Sequence, residues 1–260
     1  MNNRINKLFQ KKKERVLSVY FTAGYPNLED TVPVIQELVK NGVDLIEIGM
    51  PFSDPVADGP VIQYSSLIAL QNGMSIRKLF EQLKNIRQSV EIPLILMGYI
   101  NPMLQYGVEA FCLKCSEIGI DGLIIPDLPL DIYEQEYKSI FEASNLHCIF
   151  LMTPQTSEER IRIIDEASSG FIYMVSSNAT TGAKSSVSEI QKRYFERINS
   201  LPIKNPRLIG FGISNAETFE NACQYANGAI IGSAFVKALE GPDLLEKKVA
   251  GFINTIATKL

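Results

Sequence analysis

The sequence has no excess of positive charge and no long apolar run. Its 260 residues include 25 basic and 29 acidic side chains, which give a formal net charge of −4. A nucleic-acid-binding surface needs clustered basic residues, so this balance argues against nucleic acid as a partner. No apolar stretch approaches the roughly 20 residues that span a bilayer, and none follows the basic segment 1–15 as a targeting signal requires. We therefore expect a soluble, cytoplasmic protein with no membrane segment.

Histidine and cysteine are also scarce. The one histidine, His147, excludes a zinc site built from three histidines and is the only possible imidazole base. Four cysteines without a secretion signal suggest a reducing compartment. Cys112 and Cys115 match a C-x-x-C pattern, but no second pair accompanies them, and they fall inside a helical run over residues 108–118. We therefore expect no metal site.

Short apolar runs alternate along the chain with longer amphipathic ones. The runs are nearly continuous in hydrophobicity, which is typical of parallel strands covered on both faces. The eight predicted strands are Val16–Thr22, Val43–Ile48, Ile92–Gly98, Ile120–Pro126, Leu146–Met152, Phe171–Ser176, Arg207–Gly212 and Gly228–Ile231. Alternating βα units allow an open doubly wound sheet or a closed (β/α)8 barrel. The strand count and the length favour the α/β class with a single TIM barrel.

Two additions to the barrel are expected. Ile5, Leu8 and Phe9 fall at helical spacing, which predicts an extra N-terminal helix that caps the fold. The gap between the second and third strands leaves room for an inserted helix. No linker interrupts the chain, so residues 1–260 are expected to form one domain. A polar residue followed three positions later by glutamate predicts helix starts at Thr156, Ser186 and Ser214.

Glu47 stands in an apolar strand near its C-terminal end. In such barrels, the C-terminal ends of the strands form the catalytic face. A carboxylate there would face dry surroundings, whether it points into the lumen or toward the helices, and carboxylates are rarely buried without a partner. Glu47 is therefore either half of a structural ion pair or a tuned acid or base.

The loop after this strand is stiffened by three prolines, Pro51, Pro55 and Pro60. It also carries Asp54 and Asp58, each of which could merely start a turn. Because Glu47 precedes them on the same rim, a site with two carboxylates is also plausible.

Glycines follow the last three strands, in the segments 180–182, 210–214 and 232–233. Tight turns use glycine, but glycine also lets backbone N–H groups approach an anion. The loops after strands seven and eight frequently hold phosphate in these barrels, so we expect a phosphate site there. His147 falls at the start of the fifth strand, on the opposite face, and is expected to be structural.

The segment Glu47–Gln63 is similar to the signature of tryptophan synthase α subunits, E-x-G-x-P-F-S-D-P-x-A-D-G-P-x-I-Q. Looser matches to that family are the segments 21–26, 125–129, 210–214 and 231–234. The resemblance extends over essentially the whole chain. It implies a carbon–carbon lyase that cleaves indole-3-glycerol phosphate to indole and glyceraldehyde 3-phosphate by a retro-aldol step.

The resemblance also implies roles for individual residues. By position in the motif, Glu47 matches the catalytic glutamate of the family and Asp58 its catalytic aspartate. The phosphate-binding positions are Gly182, Gly212, Gly232 and Ser233. The strand ends and the resemblance give the substrate-binding candidates Tyr20, Tyr99, Asp127, Tyr173 and Thr181.

The family works as an α-β-β-α complex, in which indole passes through a tunnel to the β subunit. The resemblance implies that pyridoxal phosphate belongs to that partner and that this chain binds no metal or organic cofactor. The expected β-facing rim contains Asp54, Pro55, Asn101 and Pro129.

One stretch departs from the family pattern. Ser177 and Ala179 stand where many members have arginine and glycine, so we expect the sixth loop to close differently. Two alternatives therefore stay open. The chain could be another phosphate-binding barrel, such as a sugar-phosphate epimerase or isomerase, or an activator of the β subunit without useful catalysis of its own.

Overall fold

The barrel is built around a sheet of parallel strands. This computed structural model describes residues 3–176, 189–210 and 212–256. Its strands are β1 Val16–Thr22, β2 Leu45–Gly49, β3 Leu94–Met97, β4 Gly122–Ile124, β5 His147–Cys148, β6 Leu151–Met152, β7 Ile172–Val175, β8 Arg207–Gly210 and β9 Gly228–Ile231. Neighbouring strands follow the order β5-β4-β3-β2-β1-β9-β8-β7-β6. The predicted strands are therefore confirmed, with the fifth one divided into two pieces.

The divided fifth strand closes the ring. β5 pairs with β4 and β6 pairs with β7, so one short segment joins the two ends of the sheet. Between the two pieces, the amide of Ile149 donates to the Leu123 carbonyl at 3.0 Å, and the Phe150 carbonyl accepts from the amide of Tyr173 at 3.0 Å. The fold is thus the expected (β/α)8 barrel.

Helices surround the barrel and connect successive strands. The described helices are α1 Arg4–Lys11, α2 Thr31–Lys40, α3 Pro60–Gln71, α4 Ile76–Leu83, α5 Ile100–Tyr106, α6 Val108–Ile118, α7 Leu130–Ile132, α8 Lys138–Ala143, α9 Glu158–Ala167, α10 Glu189–Asn199, α11 Ala216–Cys223, α12 Ser233–Ala238 and α13 Leu245–Ile256. A π-helical turn, Tyr133–Tyr137, joins α7 to α8. Among these described helices, none is long and apolar enough to cross a membrane.

The predicted insertion between the second and third strands is confirmed as α3 and α4. Helix α3 is tied to the end of β1 by a hydrogen bond of 2.7 Å between the hydroxyls of Ser65 and Thr22. After α3, the side-chain amide of Asn72 donates to the carbonyls of Gly24 and Pro26, at 2.9 Å each. The insertion therefore fixes the loop that follows β1, on the rim of the barrel.

The expected capping residues are wrong by one position at two helices. Ser157 caps α9 by accepting from the Arg160 amide, and Asn215 caps α11 by accepting from the Thr218 amide at 2.9 Å. The hydroxyl of Thr156 is already occupied, because it accepts from the Thr153 amide at 2.9 Å. Each helix therefore begins one residue later than the glutamate spacing suggests. The third predicted start, Ser186, lies outside the described residues.

Helix α1 closes the N-terminal end of the barrel, as predicted. The side chain of Asn3 caps the helix by accepting from the Ile5 amide at 2.8 Å, and its amide group donates to the Asp121 carbonyl at 2.6 Å. Ile5 and Phe9 are buried, and the Phe9 ring lies 5.9 Å from that of Phe171 between centroids. The lumen is therefore sealed at this end by apolar side chains.

His147 lies at the same sealed end, far from the C-terminal ends of the strands. Its Nδ1 lies 2.8 Å from the Ser169 hydroxyl, and its Nε2 lies 2.6 Å from Oδ1 of Asn6. Burial lowers the pKa of His147 to about 4, so the ring is neutral near pH 7. Its contacts are those of a structural histidine, as expected from its place in the sequence.

Candidate active site

Polar side chains enter the lumen of the barrel above its apolar base. Val16 on β1 and Leu45 on β2 belong to the core cluster that fills the lumen. Side chains alternate along a strand, so Ser18 and Tyr20 on β1 and Glu47 on β2 point the same way. The register pairs Tyr20 with Glu47 across the two strands. The sequence of these strands therefore brings a carboxyl group into the barrel near its catalytic face.

The Glu47 carboxyl is buried without a counter-charge. Its side chain has no exposed surface, and the described residues offer it no ion pair. Oε1 accepts a hydrogen bond of 2.8 Å from the Ser18 hydroxyl, whereas Oε2 has no partner among the described residues. Burial raises the pKa of Glu47 to about 8, and the Ser18 hydrogen bond opposes part of this rise. Glu47 is therefore protonated near pH 7 and can act as an acid.

Asp58 lies in the loop after β2 and is held by Tyr99, which follows β3. The Tyr99 hydroxyl donates to Oδ2 of Asp58 at 3.0 Å and accepts from the Ala57 amide at 3.0 Å. The side-chain amide of Gln63 also donates to the Asp58 carbonyl at 2.9 Å. Burial raises the pKa of Asp58, and the Tyr99 hydrogen bond counteracts this rise. The loop thus presents a second carboxyl group in a fixed orientation.

A cleft opens to solvent at this rim. Its walls are Tyr20, Met50, Phe52, Pro55, Asp58, Ser66, Met97, Gly98, Tyr99 and Pro126. The rings of Phe52 and Tyr99 lie 5.1 Å apart between centroids, tilted by 30°. The cleft therefore combines aromatic and aliphatic walls with one carboxyl group, which suits a flat apolar ring that also carries a polar atom.

Two tyrosines extend across neighbouring strands at the top of the lumen. A Cβ atom on Gly49 would lie 2.2 Å from the Tyr20 hydroxyl, and one on Gly210 would lie 2.1 Å from the Tyr173 hydroxyl. Each ring therefore occupies space that only glycine leaves open. Burial raises the pKa of Tyr20 and of Tyr173 well above the usual range, so both hydroxyls stay protonated.

The Tyr20 ring lies on the rim side of Glu47, because Gly49 follows Glu47 toward the C-terminal end of β2. It also lines the cleft, whereas Glu47 does not. Tyr20 therefore belongs both to the wall of the cleft and to the strand pair that carries Glu47.

The remaining candidates on this rim belong to the loops and helix starts that follow β2, β3 and β4. Asp127 is exposed and accepts from the Ile100 amide at the start of α5, at 2.9 Å. Asp54 is exposed and accepts from the Ser53 hydroxyl at 2.5 Å. Pro55 is half-buried in the cleft wall, whereas Asn101 and Pro129 are exposed at the starts of α5 and α7. The contact of Asp127 is thus with a helix end.

The structure describes part of the predicted phosphate site. Gly212 follows β8 with a φ of +78°, and a Cβ atom there would meet nothing within 4 Å. Gly232 follows β9 and directly precedes α12, whose first residue, Ser233, is exposed. Because β8 and β9 are neighbours, these two loops lie on one side of the rim. The candidates Thr181 and Gly182, and the unusual residues at 177 and 179, lie outside the described residues.

Cysteines do not take part in this site. Cys112 and Cys115 are buried in α6, whose bounds match the predicted helical run. Burial raises the pKa of the Cys112 thiol to about 12, which makes it inert. Among the described residues, no group of three or more histidine, cysteine, aspartate or glutamate side chains could hold a metal ion.

Sequence patterns do not single out Ser18 or the cleft walls Met50 and Met97. The available signal for Ser18 is weak, because one hydroxyl between Leu17 and Val19 is common in strands. Its importance depends on the register between β1 and β2, which the sequence alone does not fix.

The whole chain is similar to known proteins of one family. The family model described as tryptophan synthase alpha chain matches residues 6–258. The tryptophan synthase alpha chain of Flavobacterium johnsoniae is 67% identical over 237 residues, which cover 91% of this chain and 93% of that relative. The corresponding protein of Parabacteroides distasonis is 58% identical over 238 residues, with coverage of 92% and 93%.

Solved structures show the same likeness. The crystal structure of tryptophan synthase subunit alpha from Legionella pneumophila superposes with a TM-score of 0.90 at 33% identity, covering 99% of this chain and 98% of that one. A structure of tryptophan synthase from Mycobacterium tuberculosis gives a TM-score of 0.88 at 32% identity, with coverage of 99% and 98%.

Gly49→Ala is predicted to destabilise the protein by roughly 1–3 kcal/mol, because the new methyl group must displace the Tyr20 ring. Urea denaturation measures the change. The matched control is Gly251→Ala in α13, where a Cβ atom meets nothing within 4 Å and alanine should stabilise by roughly 0.5–1 kcal/mol. The loss at position 49 should shrink in a Tyr20→Leu background. An equal loss in both backgrounds would contradict the assigned clash.

Proposed function

Because the chain belongs to the tryptophan synthase alpha chain family, we propose that its rim cleft is the lyase site for indole-3-glycerol phosphate. The products are indole and glyceraldehyde 3-phosphate. The alternative of another phosphate-binding barrel enzyme is excluded by the family. The observation that carries the proposal is the Glu47 carboxyl, which is fully buried, lacks a counter-charge and has a pKa raised to about 8.

The chemistry requires a proton at the indole ring. An indole ring is a poor carbanion leaving group until its C3 atom is protonated, so the step needs a general acid above the ring. Glu47 supplies the proton from its neutral form and becomes a carboxylate. That carboxylate then collects the proton of the side-chain hydroxyl as the bond to C3 breaks. The electron pair of this bond returns to the ring, and the hydroxyl-bearing carbon becomes the aldehyde.

A negative charge is needed on the other side of the ring. Protonation at C3 places positive charge on the ring nitrogen, and a fixed anion stabilises that charge in the transition state. Asp58 is the carboxyl group that lines the cleft, and Tyr99 holds its orientation. Asp58 therefore acts as the counter-charge for the ring nitrogen. The tyrosines Tyr20, Tyr99 and Tyr173 form the surrounding wall, and Thr181 and Asp127 complete the proposed substrate contacts.

The phosphate group of the substrate is assigned to the loops after the last strands. Gly212 and the Gly232–Ser233 pair are on adjacent loops, and Gly212 leaves open space beside its backbone. Gly182 is the fourth proposed phosphate contact. These loops follow strands that are two and three positions from β2 around the ring, so we expect the glycerol chain to lie between the phosphate and the indole ring.

The family implies a complex with a β subunit, which holds the activity that depends on pyridoxal phosphate. We propose an α-β-β-α assembly in which Asp54, Pro55, Asn101 and Pro129 face the β subunit. These four residues follow β2, β3 and β4, and Val56 beside them is 87% exposed. Indole would leave through this side of the rim. A cytoplasmic location and the absence of a cofactor in this chain stay predictions.

Glu47→Gln is predicted to lower turnover of indole-3-glycerol phosphate by about 10²–10⁴-fold, because an amide cannot supply the proton. Indole release, measured with and without β subunit, checks this. Glu91→Gln, an exposed substitution, is the control and should leave release unchanged. Near-normal indole release from the Glu47→Gln variant would contradict the assignment of Glu47 as the acid. If the unmodified chain releases no indole but still stimulates the β subunit, the activator alternative is favoured.

Asp58→Asn is predicted to lower turnover by about 10²–10³-fold while leaving phosphate affinity largely unchanged, because the neutral amide no longer balances the ring charge. The amide oxygen can still accept the hydrogen bond of Tyr99. Turnover and the inhibition constant of glyceraldehyde 3-phosphate separate the two effects. A variant that loses affinity alone, with normal turnover at saturation, would show that Asp58 has no electrostatic role.

The pH dependence of kcat/KM is predicted to be bell-shaped. Asp58 acts ionised, so activity falls as the pH drops through its raised pKa. Glu47 acts protonated, so activity falls as the pH rises through about 8. Initial rates from pH 4 to 10 measure both limbs. Asp58→Asn should lose the acidic limb and retain the alkaline one, and retention of both limbs would contradict the assignment.

A further inference from the structure

The buried acid Glu47 is held by one asymmetric hydrogen bond. Ser18 and Glu47 have no exposed surface, and they lie on the adjacent strands β1 and β2. The Ser18 hydroxyl donates to Oε1 at 2.8 Å. Oε2 has no hydrogen-bond partner within the part of the chain that the structure describes. The two oxygens of the carboxyl group are therefore in different environments.

This asymmetry decides which oxygen carries the proton. A neutral carboxyl group has one carbonyl oxygen, which accepts hydrogen bonds, and one hydroxyl oxygen, which donates. Because Oε1 already accepts from Ser18, Oε1 is the carbonyl oxygen and the proton is on Oε2. We propose that Ser18 is a positioning residue that fixes the acidic proton of Glu47 on Oε2, the oxygen free to donate it. The inference rests on the proposed role of Glu47 as the acid.

The same hydrogen bond assists release of the proton. When Glu47 protonates the ring, the O–H bond at Oε2 breaks, its electron pair stays on oxygen, and a C–H bond forms at C3. The product is a buried carboxylate, and a hydrogen bond to a charged acceptor is stronger than one to a neutral acceptor. Ser18 therefore stabilises the state after transfer more than the state before it. Without Ser18, Glu47 is a weaker acid.

The other groups that face Glu47 do not provide this contact. Tyr20 on β1 and Tyr173 on β7 are buried near Glu47. Burial holds the pKa of each tyrosine well above the usual range, so both hydroxyls stay neutral. Asp58 is the charged group of the adjoining loop. On the other side, β3 places the apolar Ile95 at the level of Glu47. Among the described residues, Ser18 is thus the one that donates a hydrogen bond to the Glu47 carboxyl group.

The test removes the hydroxyl and follows Glu47 in two ways. Infrared difference spectra of chain labelled with ¹³C-glutamate, taken against Glu47→Gln, isolate the carbonyl band of protonated Glu47. Ser18→Ala should move this band to higher frequency, because its carbonyl oxygen loses a hydrogen bond. In the same variant, kcat should fall on the order of tenfold with little change in KM, and the alkaline limb of kcat/KM should move to higher pH. Ser18→Thr, which keeps the hydroxyl, should retain the original band and limb.

The control is Ser168→Ala, which removes a buried hydroxyl at the far end of α9 that has no hydrogen-bond partner among the described residues. It should leave the band and the limb unchanged. An unmoved band in Ser18→Ala, with Glu47→Gln inactive, overturns the inference and leaves the proposed function standing. A moved band with an unmoved alkaline limb overturns the role of Ser18 in the reaction by showing that Glu47 is not the acid. The inference is supported if both the band and the alkaline limb move in Ser18→Ala and both keep their original positions in Ser18→Thr.

Discussion

Removal of the Glu47 carboxyl from water is the constraint on which the site depends. The free carboxyl group ionises near pH 4.5, and burial in the barrel moves its pKa to about 8. Keeping it neutral at pH 7 therefore costs roughly 3 kcal/mol of folding stability. An arginine or lysine beside it would remove that cost, but it would also make Glu47 a permanent carboxylate with no proton to give. The single hydroxyl of Ser18 is a compromise between these extremes.

The opposite end of the barrel supplies stability that the site lacks. Asp121 is buried there, where it accepts from Arg87 at 2.5 Å, from Arg4 at 3.1 Å and from the Leu94 amide at 2.9 Å. This cluster ties α1 and the segment before β3 to the start of β4. The Asp121 carboxylate is thus fully paired at the sealed end, whereas the Glu47 carboxyl is incompletely paired near the rim among the described residues. The separation lets one end of the fold hold the strands together while the other keeps a reactive group.

The sequence predicts most of this architecture because the relevant patterns are local. The apolar runs locate the strands, and the spacing of Ile5 and Phe9 locates α1. The division of the fifth strand was not predictable, because residues 149–150 read as apolar as their neighbours and the change of partner from β4 to β7 arises only in the folded sheet. The contact of Ser18 with Glu47 was missed for a related reason. It depends on which residues two strands bring side by side, and a one-residue change of register would abolish it.

The two carboxyl groups of the site differ because they arise from different elements. Glu47 projects from a strand into a closed lumen, where it is fully buried and where, among the described residues, only the Ser18 hydroxyl donates to it. Asp58 projects from a proline-stiffened loop into an open cleft, where it accepts from Tyr99 and meets solvent on its other side. Burial raises both pKa values, but the shift is larger where water is absent. The strand position therefore yields the acid and the loop position yields the anion, so one fold holds both at neutral pH.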